Sequence, residues 1–468
     1  MRTHSRRRIA LVLGDLVVFI AALAFALYLR HGGMPESGII RGYLVAGPIL
    51  ALLWIACLIM FGLYDFKVTK NGPDFFERLA RALDLDVVVT IVLFYTVPIF
   101  GLRPLGLLVI FFPMLGLAAF GERFAANAVL THRNRERIIF FGAADEIIEL
   151  AEFLKENPQL GFNPVAIVRS ENGATPPHDA LAIPEMDNLS EAIKISRATT
   201  IVVAPNLKRT KSLIKTLFDV VPLGITITDF PRFYETVRGK VPVSLINETW
   251  FVENLVGSRR PRYEFAKRIL DTVLATIFGL FALLLFPFIA IAIVASAPQD
   301  IFDYRNKRAR PGDGIIFFRQ ERVGKNGKIF GFIKFRSQVL GAELMGHEKS
   351  TADPRAYPVG TFLRKTYLDE LPQLLNVLRG DMSFVGPRPE RPKFVRELEQ
   401  EIPFYRMREL VIPGITGWAQ INMTNDASVS DAPEKMQYDL FYIKNRSLAL
   451  DITILLKTAW EVLQRSGR

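Results

Sequence analysis

Apolar residues fall along this chain in dense blocks separated by polar stretches. Four blocks open the sequence, at 9–29, 43–64, 82–102 and 105–120. Each approaches the ~20 residues that a helix needs to cross hydrocarbon, so the pattern predicts four spans. Basic residues precede the first block, as they do in a secretory leader, but its apolar stretch is too long and no small-residue cleavage site follows, so it is read as a span. Arg2, Arg6, Arg7 and Arg8 stand before the first block, Lys67, Lys70, Arg78 and Arg81 between the second and third, and Arg133, Arg135 and Arg137 after the fourth. By the positive-inside rule both ends of this bundle face the cytoplasm.

From 137 to 243 the period changes. Short apolar runs at 138–141, 165–168, 200–203 and 225–227 read as buried strands, with helical segments such as 145–154 between them. Strands alternating with helices predict a doubly wound, Rossmann-like α/β domain. Its first strand runs into Gly142-Ala143-Ala144-Asp145, which lacks the repeated glycines of a dinucleotide loop. The reading therefore favours a regulatory or oligomerising module over a cofactor-binding one.

A fifth apolar block, 269–297, holds one charge, Asp271. As a straight helix it would run about 43 Å, longer than the ~30 Å of hydrocarbon. Pro287 interrupts it, and proline clashes with the carbonyl of Leu283, so a kink or break is expected there. Arg259, Arg260, Arg262, Lys267 and Arg268 precede the block, while Arg305, Lys307, Arg308 and Arg310 follow it. Charge on both flanks predicts a re-entrant helix hairpin with both ends on the cytoplasmic side. The alternative is a tilted fifth span, which would export everything after it.

The remainder, to 468, is polar and punctuated by Gly and Pro. Three domains follow: a four-helix transmembrane bundle at 1–130, a Rossmann-like domain at 131–250, and a membrane-associated α/β domain at 260–468 that includes the hairpin. Net charge is +11, and the cations flank membrane segments and loops rather than forming one stripe. That distribution suits anionic lipid and phosphorylated substrates, not nucleic acid. The single cysteine, Cys57, lies in an apolar run, and the five His residues lack ligand spacing, which excludes disulfides, thiolate metal sites and thiol nucleophiles.

Candidate chemistry gathers in the last domain. Residues 315–322 and 328–335 alternate like paired strands around an Asn326-Gly327 turn. Lys334 and Arg336 then share parity and could clamp a diphosphate from one face, or form a solvated basic face. In Arg364-Lys365-Thr366-Tyr367-Leu368-Asp369-Glu370, two adjacent acids stand near a helix start. Such a pair can divide labour, one carboxylate attacking phosphorus while the other holds Mg²⁺. The competing reading is a capping box from Thr366 to Asp369, with Glu370 a surface acid. Helix-start amides and Arg364 are expected to keep Asp369 ionised. Arg388 sits in the stiff turn Gly386-Pro387-Arg388-Pro389, and Pro413-Gly414-Ile415-Thr416-Gly417-Trp418 forms a second turn. No Walker loop, zinc signature or nucleophile elbow is present.

From about Arg262 onward these segments resemble the bacterial sugar transferase family, the polyprenyl-phosphate hexose-1-phosphate transferases. The resemblance is carried by Lys267-Arg268, Pro287, Gln320 with Arg322 and Gly324, Lys334 to Ser337, 364–380, 382–389, 413–420, and Tyr438-Asp439 with Tyr442. Four spans and a degenerate nucleotide-fold domain are similar to the large members. The resemblance implies a bacterial inner-membrane enzyme with its catalytic domain on the cytoplasmic face. It implies Mg²⁺, with Glu370 as metal ligand, and a ping-pong transfer from a UDP-sugar to polyprenyl phosphate through a phosphorylated Asp369. Lys334, Arg336, Arg364 and Arg388 are the implied substrate-binding cations, and Asp439 is a family acid grouped with them. A glycosyltransferase releasing UDP, a membrane scaffold or nucleotide-sensing regulator, and a homo-oligomer stay open.

Overall fold

The computed structural model describes residues 2–96, 105–132, 135–142, 145–168, 185–186, 189–204, 215, 217–218, 222, 224–246, 248–255, 260–298, 314–342, 355–423 and 431–463. The chain forms two compact units, residues 1–246 and 247–468.

The first unit opens with helices α1 (Arg2–His31), α2 (Ser37–Met60), α3 (Pro73–Thr96) and α4 (Leu105–His132). Among the described residues, Arg7–His31, Ile40–Met60 and Gly106–Val129 are long and apolar enough to cross a membrane, as is Pro261–Ser296 of the second unit. The third expected span, 82–102, coincides only in part with α3. Arg81, Asp84 and Asp86 keep the described length of α3 out of that class, and residues 97–102 lie outside the described residues. Asp15 of α1 is buried against Arg123 of α4, whose Nε donates to Asp15 Oδ1 at 3.2 Å, while Tyr64 Oη donates to Oδ2 at 2.6 Å. In an apolar medium such a pair persists only when each partner answers the other.

Next comes an α/β layer of β1 (Glu136–Phe141), α5 (Asp145–Glu156), β2 (Phe162–Val168), β3 (Glu185–Met186), α6 (Leu189–Ser196), β4 (Thr200–Val203), β5 (Thr226–Asp229) and α7 (Phe230–Arg238). All pairs are parallel, in the order β3-β2-β1-β4-β5. Three of the expected strands lie within β1, β2 and β4, and the fourth overlaps β5. The two-residue β3 is too short to leave a period in the sequence. Ile139, Ala166, Val168 and Ile201 form the core beneath α6. Ala143 and Ala144, which follow the first strand, lie outside the described residues.

The second unit comprises α8 (Glu248–Asn254), α9 (Pro261–Ser296), β6 (Phe317–Val323), β7 (Ile329–Phe335), α10 (Pro358–Lys365), a 3-10 turn at Leu368–Gln373, α11 (Leu374–Arg379), β8 (Ser383–Val385), α12 (Pro392–Glu401), β9 (Gly414–Thr416), α13 (Ala432–Asn445) and α14 (Leu448–Leu463). Strands β6 and β7 pair antiparallel from Phe317↔Phe335 to Val323↔Ile329. Asn326 (φ 56°) and Gly327 (φ 77°) turn the chain between them through left-handed backbone, as the Asn-Gly pair predicts.

Helix α9 has 36 residues, about 54 Å if straight. Of the kink or break expected at Pro287, no break is seen: helix lies on both sides of the proline. Phe286 and Ile289, which flank it, pack on one core with Ile293, Phe335, Tyr357 and Leu363, and this packing holds the segment helical. Nearer its start, Ala275 packs with Phe330, Phe332, Leu374, Val377 and Met382. One stripe of α9 thus meets the rest of its own unit along nearly the whole helix. The opposite face exposes Phe265, Ile269, Ile277, Phe281, Leu284, Phe288 and Ile291. The flanking cations Arg259, Arg305, Lys307, Arg308 and Arg310 lie outside the described residues.

Truncating one member of the bundle's ion pair, as in Asp15→Ala or Arg123→Ala, strands a buried charge and is expected to destabilise the first unit by about 3–5 kcal/mol. Replacing both, Asp15→Leu with Arg123→Met, is expected to cost much less. Thermal unfolding of the full chain in detergent, read as a double-mutant cycle, measures the difference.

Candidate active site

The acids Asp369 and Glu370 stand on the 3-10 turn between α10 and α11. Tyr367, immediately before this turn, adopts left-handed backbone at φ 55°, and Glu370 N donates to its carbonyl at 3.1 Å. A non-glycine residue held there stores strain, a cost that the surrounding structure must offset. Thr366 does not cap this turn. Its hydroxyl donates back to the Phe362 and Leu363 carbonyls at 2.8 and 3.3 Å and closes α10, so the capping-box reading fails and Asp369 is left for other work.

Asp369 is only 7% exposed. Burial pushes its carboxyl up to about 6, and neighbouring Glu370 adds to the rise, while Lys334, Arg364 and Arg388 oppose it. Desolvation outweighs the cations, Arg364 among them. At neutral pH most of the group is still charged, poised rather than locked. Burial likewise lowers Lys334, against the pull of Asp369 and Glu370, and its Nζ lies 5.2 Å from the Phe318 ring centre. Arg388 Nη2 donates to Glu370 Oε1 at 2.9 Å.

Asn376 joins the acid turn to the lysine strand. Its amide donates to the Gly331 carbonyl at 2.8 Å, and its Oδ1 accepts from Ile333 N at 3.3 Å, both in β7. Arg268 of α9 secures the far end of α11, donating to the Val377 and Leu378 carbonyls at 2.6 Å each.

Two sequence-derived candidates take other places. Strand β7 ends at Phe335, so parity no longer sets the direction of Arg336, whose Nε donates to the Ile315 carbonyl at 2.8 Å beside the Tyr357 ring. Asp439, 1% exposed on α13, accepts Arg408 Nε at 3.1 Å and Nη2 at 2.7 Å. Arg408 also donates to the Arg388 carbonyl at 3.0 Å. Asp439 therefore stands behind the site and orients the arginine that holds the Arg388 turn.

The sequence pattern does not single out Arg408, Glu390 or Lys435. Lys435 Nζ meets Glu390 Oε1 at 2.7 Å, with Arg408 Nη1 3.6 Å and Arg322 Nη1 3.9 Å from the same carboxylate. Burial alone would raise Glu390, yet Lys435, Arg408 and Arg322 bring it down to about 2. In sequence these residues read as ordinary surface charge, and only the fold turns them inward.

The arrangement has a buried acid, a second acid paired to an arginine, and three cations acting on the first. For Mg²⁺, two adjacent carboxylates are a fitting donor set, since this ion takes one or two protein carboxylates and completes its shell with water and phosphate oxygens. Among the described residues no group of three or more His, Cys, Asp or Glu side chains assembles into a fuller cage.

Comparison with known proteins identifies relatives of this chain. The sequence model of the family described as bacterial sugar transferase matches residues 307–465. A UDP-glucose:undecaprenyl-phosphate glucose-1-phosphate transferase of Klebsiella pneumoniae is 31% identical over 342 residues, 70% of this chain and 68% of that protein. One of the same description from Xanthomonas campestris pv. campestris is 32% identical over 349 residues, 70% and 66% of the two chains. A UDP-N-acetylgalactosamine-undecaprenyl-phosphate N-acetylgalactosaminephosphotransferase of Aeromonas hydrophila is 38% identical over 247 residues, 52% and 53%. The chain thus spans between about half and two thirds of the length of these relatives. From the acid turn, the arginine turn braced behind it and the extent of these matches, the chain belongs to the bacterial sugar transferase family.

Proposed function

We propose that this protein transfers a hexose-1-phosphate from a UDP-sugar to undecaprenyl phosphate, releasing UMP, as the first step in building a surface polysaccharide. The relatives' names support the substrates. The observation that carries the reading is the buried Asp369, poised near neutrality beside Glu370 and acted on by Lys334, Arg364 and Arg388.

In this reading an Asp369 carboxylate oxygen attacks the phosphorus that bears the sugar. The bond from that phosphorus to the bridging oxygen breaks, and the electron pair leaves with UMP. An oxygen of the lipid phosphate then attacks the same phosphorus, the Asp369–phosphorus bond breaks, and the lipid-diphosphate sugar departs with its anomeric carbon untouched. Lys334, Arg364 and Arg388 neutralise charge on the phosphoryl oxygens, and burial removes the water that would screen them. Glu370 is the proposed Mg²⁺ ligand, and the ion when bound supplies further neutralisation of the leaving phosphate.

We further read Pro261–Ser296 as a re-entrant element in the bacterial inner membrane, with the second unit on the cytoplasmic face. Its packed stripe supports this: Tyr263 and Lys267 near the start of α9 and Ile293 near its end all touch one compact unit, which a helix crossing the bilayer would place on opposite sides. The parallel sheet of 131–250 is read as Rossmann-like and regulatory, its strand order supporting the first term.

Incubating the purified chain with undecaprenyl phosphate and a panel of UDP-sugars is expected to release UMP with one donor; release of UDP would refute the proposal. Label in the donor's sugar phosphate is expected on Asp369 when turnover is stopped by denaturation, and Asp369→Asn is expected to lose activity by about a thousandfold or more.

The nucleophile must be ionised, so kcat/KM is expected to fall about tenfold per unit as pH drops below about 6. Stability runs the other way. A carboxyl whose folded value lies above its ordinary 3.8 holds its proton longer when folded, so ionising it costs stability as pH rises from 3.8 towards 6. Asp369→Asn is therefore expected to melt no lower than the parent protein at pH 7.

For topology, cysteine placed at exposed Lys393 in a Cys57→Ser background is expected to resist an impermeant maleimide in intact cells and to react once the cells are opened.

A further inference from the structure

The proposed chemistry needs Arg388 set against Glu370, and the polar start of the membrane helix α9 holds the strand that delivers it. Strand β8 ends at Val385, and Gly386, Pro387 and Arg388 follow directly. One edge of β8 pairs with β9, in the register Ser383↔Gly414 and Val385↔Thr416. Alternate amides of a strand point to opposite edges, so Phe384 N–H faces away from β9, on an edge where no strand pairs with it among the described residues.

Asp271 stands in for that strand. Its Oδ1 accepts from Phe384 N at 3.1 Å and from Ser383 Oγ at 3.1 Å, and the residue is only 5% exposed. Four and eight residues earlier on the same face, Lys267 Nζ and Tyr263 Oη reach Asp451 Oδ2 of α14 at 3.0 and 2.9 Å. Tyr442 Oη lies 2.8 Å from Asp451 Oδ1 and 3.2 Å from the Val385 carbonyl. Three residues of α9, each one turn apart, therefore bear on β8 directly or through Asp451 and Tyr442.

Little slack separates β8 from the arginine. A Cβ at Gly386 would lie 2.5 Å from the Ile412 carbonyl oxygen, so this backbone approach admits only glycine. Pro387 and Pro389 restrict the turn further. From the far side, Arg408 donates to the Arg388 carbonyl at 3.0 Å. A shift of β8 would therefore reach Arg388 nearly undamped.

We propose that Asp271 is a positioning residue for Arg388: the membrane helix supplies the carboxylate that fixes β8, and through β8 sets the Arg388 guanidinium against Glu370. The arginine meeting the donor's phosphates is thereby referenced to the helix that enters the lipid phase, where the acceptor's hydrocarbon lies. This inference rests on the function proposed above.

The test is a double-mutant cycle on UMP release by the full chain in lipid nanodiscs. Displacing a catalytic group by an ångström costs on the order of a hundredfold. Asp271→Ala is accordingly expected to lower kcat by roughly 10- to 100-fold with KM changed less, while Asp271→Asn, which keeps the accepting Oδ1, stays within about threefold of the parent. In an Arg388→Ala background, or Arg388→Lys if that variant is too slow, Asp271→Ala is expected to add less than about twofold. An equal loss in both backgrounds, or full activity of Asp271→Ala, overturns the proposal. If Asp271→Ala does not fold, Ser383→Ala removes one of the two donors and enters the same cycle. Should the parent protein release no UMP, the functional reading falls by itself. Hydrogen exchange at Phe384 N–H, expected to quicken in Asp271→Ala, then decides the structural part, and unchanged exchange refutes it.

Discussion

Placing two adjacent carboxylates, one buried and one half-buried, in one small turn is the constraint around which the second unit is organised. Asp369 and Glu370 repel each other, and desolvation penalises the charge of Asp369. The protein answers with cations drawn from distant parts of the sequence: Lys334 from β7, Arg364 from α10, and Arg388 from the turn after β8. The balance stops short of full compensation, which leaves Asp369 raised and its lone pairs available. A carboxylate neutralised as completely as Glu390 would be a poor nucleophile. The contrast between the two buried acids, one pushed up to about 6 and the other brought down to about 2, separates the group suited to chemistry from the one suited to holding structure.

That electrostatic balance requires rigid backbone. Asn376 bolts the acid turn to β7, and a Cβ at Gly360 would stand 1.9 Å from the Ser337 carbonyl oxygen, so α10 packs directly against the chain just beyond β7. Asp439 and Arg408 brace the arginine turn from behind. Most of the buried charge in this unit therefore does not face a substrate. It holds in place the few groups proposed to do so, and a mutational scan would register both kinds as loss of the proposed activity.

The first unit answers the same problem differently. Asp15 and Arg123 are taken out of water together, with Tyr64 sharing the acid, and the pair joins α1 to α4. Here the charges satisfy one another and leave little reactivity. Beyond the bundle, the parallel sheet is held by aliphatic packing around Ile139, Ala166 and Ile201, which makes an ordinary core beneath α6.

Element types were largely legible in the sequence by itself, because apolar period and turn chemistry act over a few residues. Helices at the apolar blocks, strands at 138–141, 165–168 and 200–203, the Asn326-Gly327 turn, and the adjacency of Asp369 and Glu370 are local properties. The family, too, was carried by short ordered motifs, and the charges that interrupt α3 at Arg81, Asp84 and Asp86 are equally local. The state of the site was not legible. Whether Thr366 caps Asp369 depends on which turn its hydroxyl faces, and tertiary structure turned it back towards α10. Asp439, grouped with the substrate cations by its motif, was placed behind them by the fold, and Arg336 was drawn to Ile315 where the strand ends. The raised carboxyl of Asp369 was decided last and only in three dimensions. Desolvation depends on everything packed around a group, and the sum of charges from residues 334, 364, 370 and 388 exists only once the chain has brought them together.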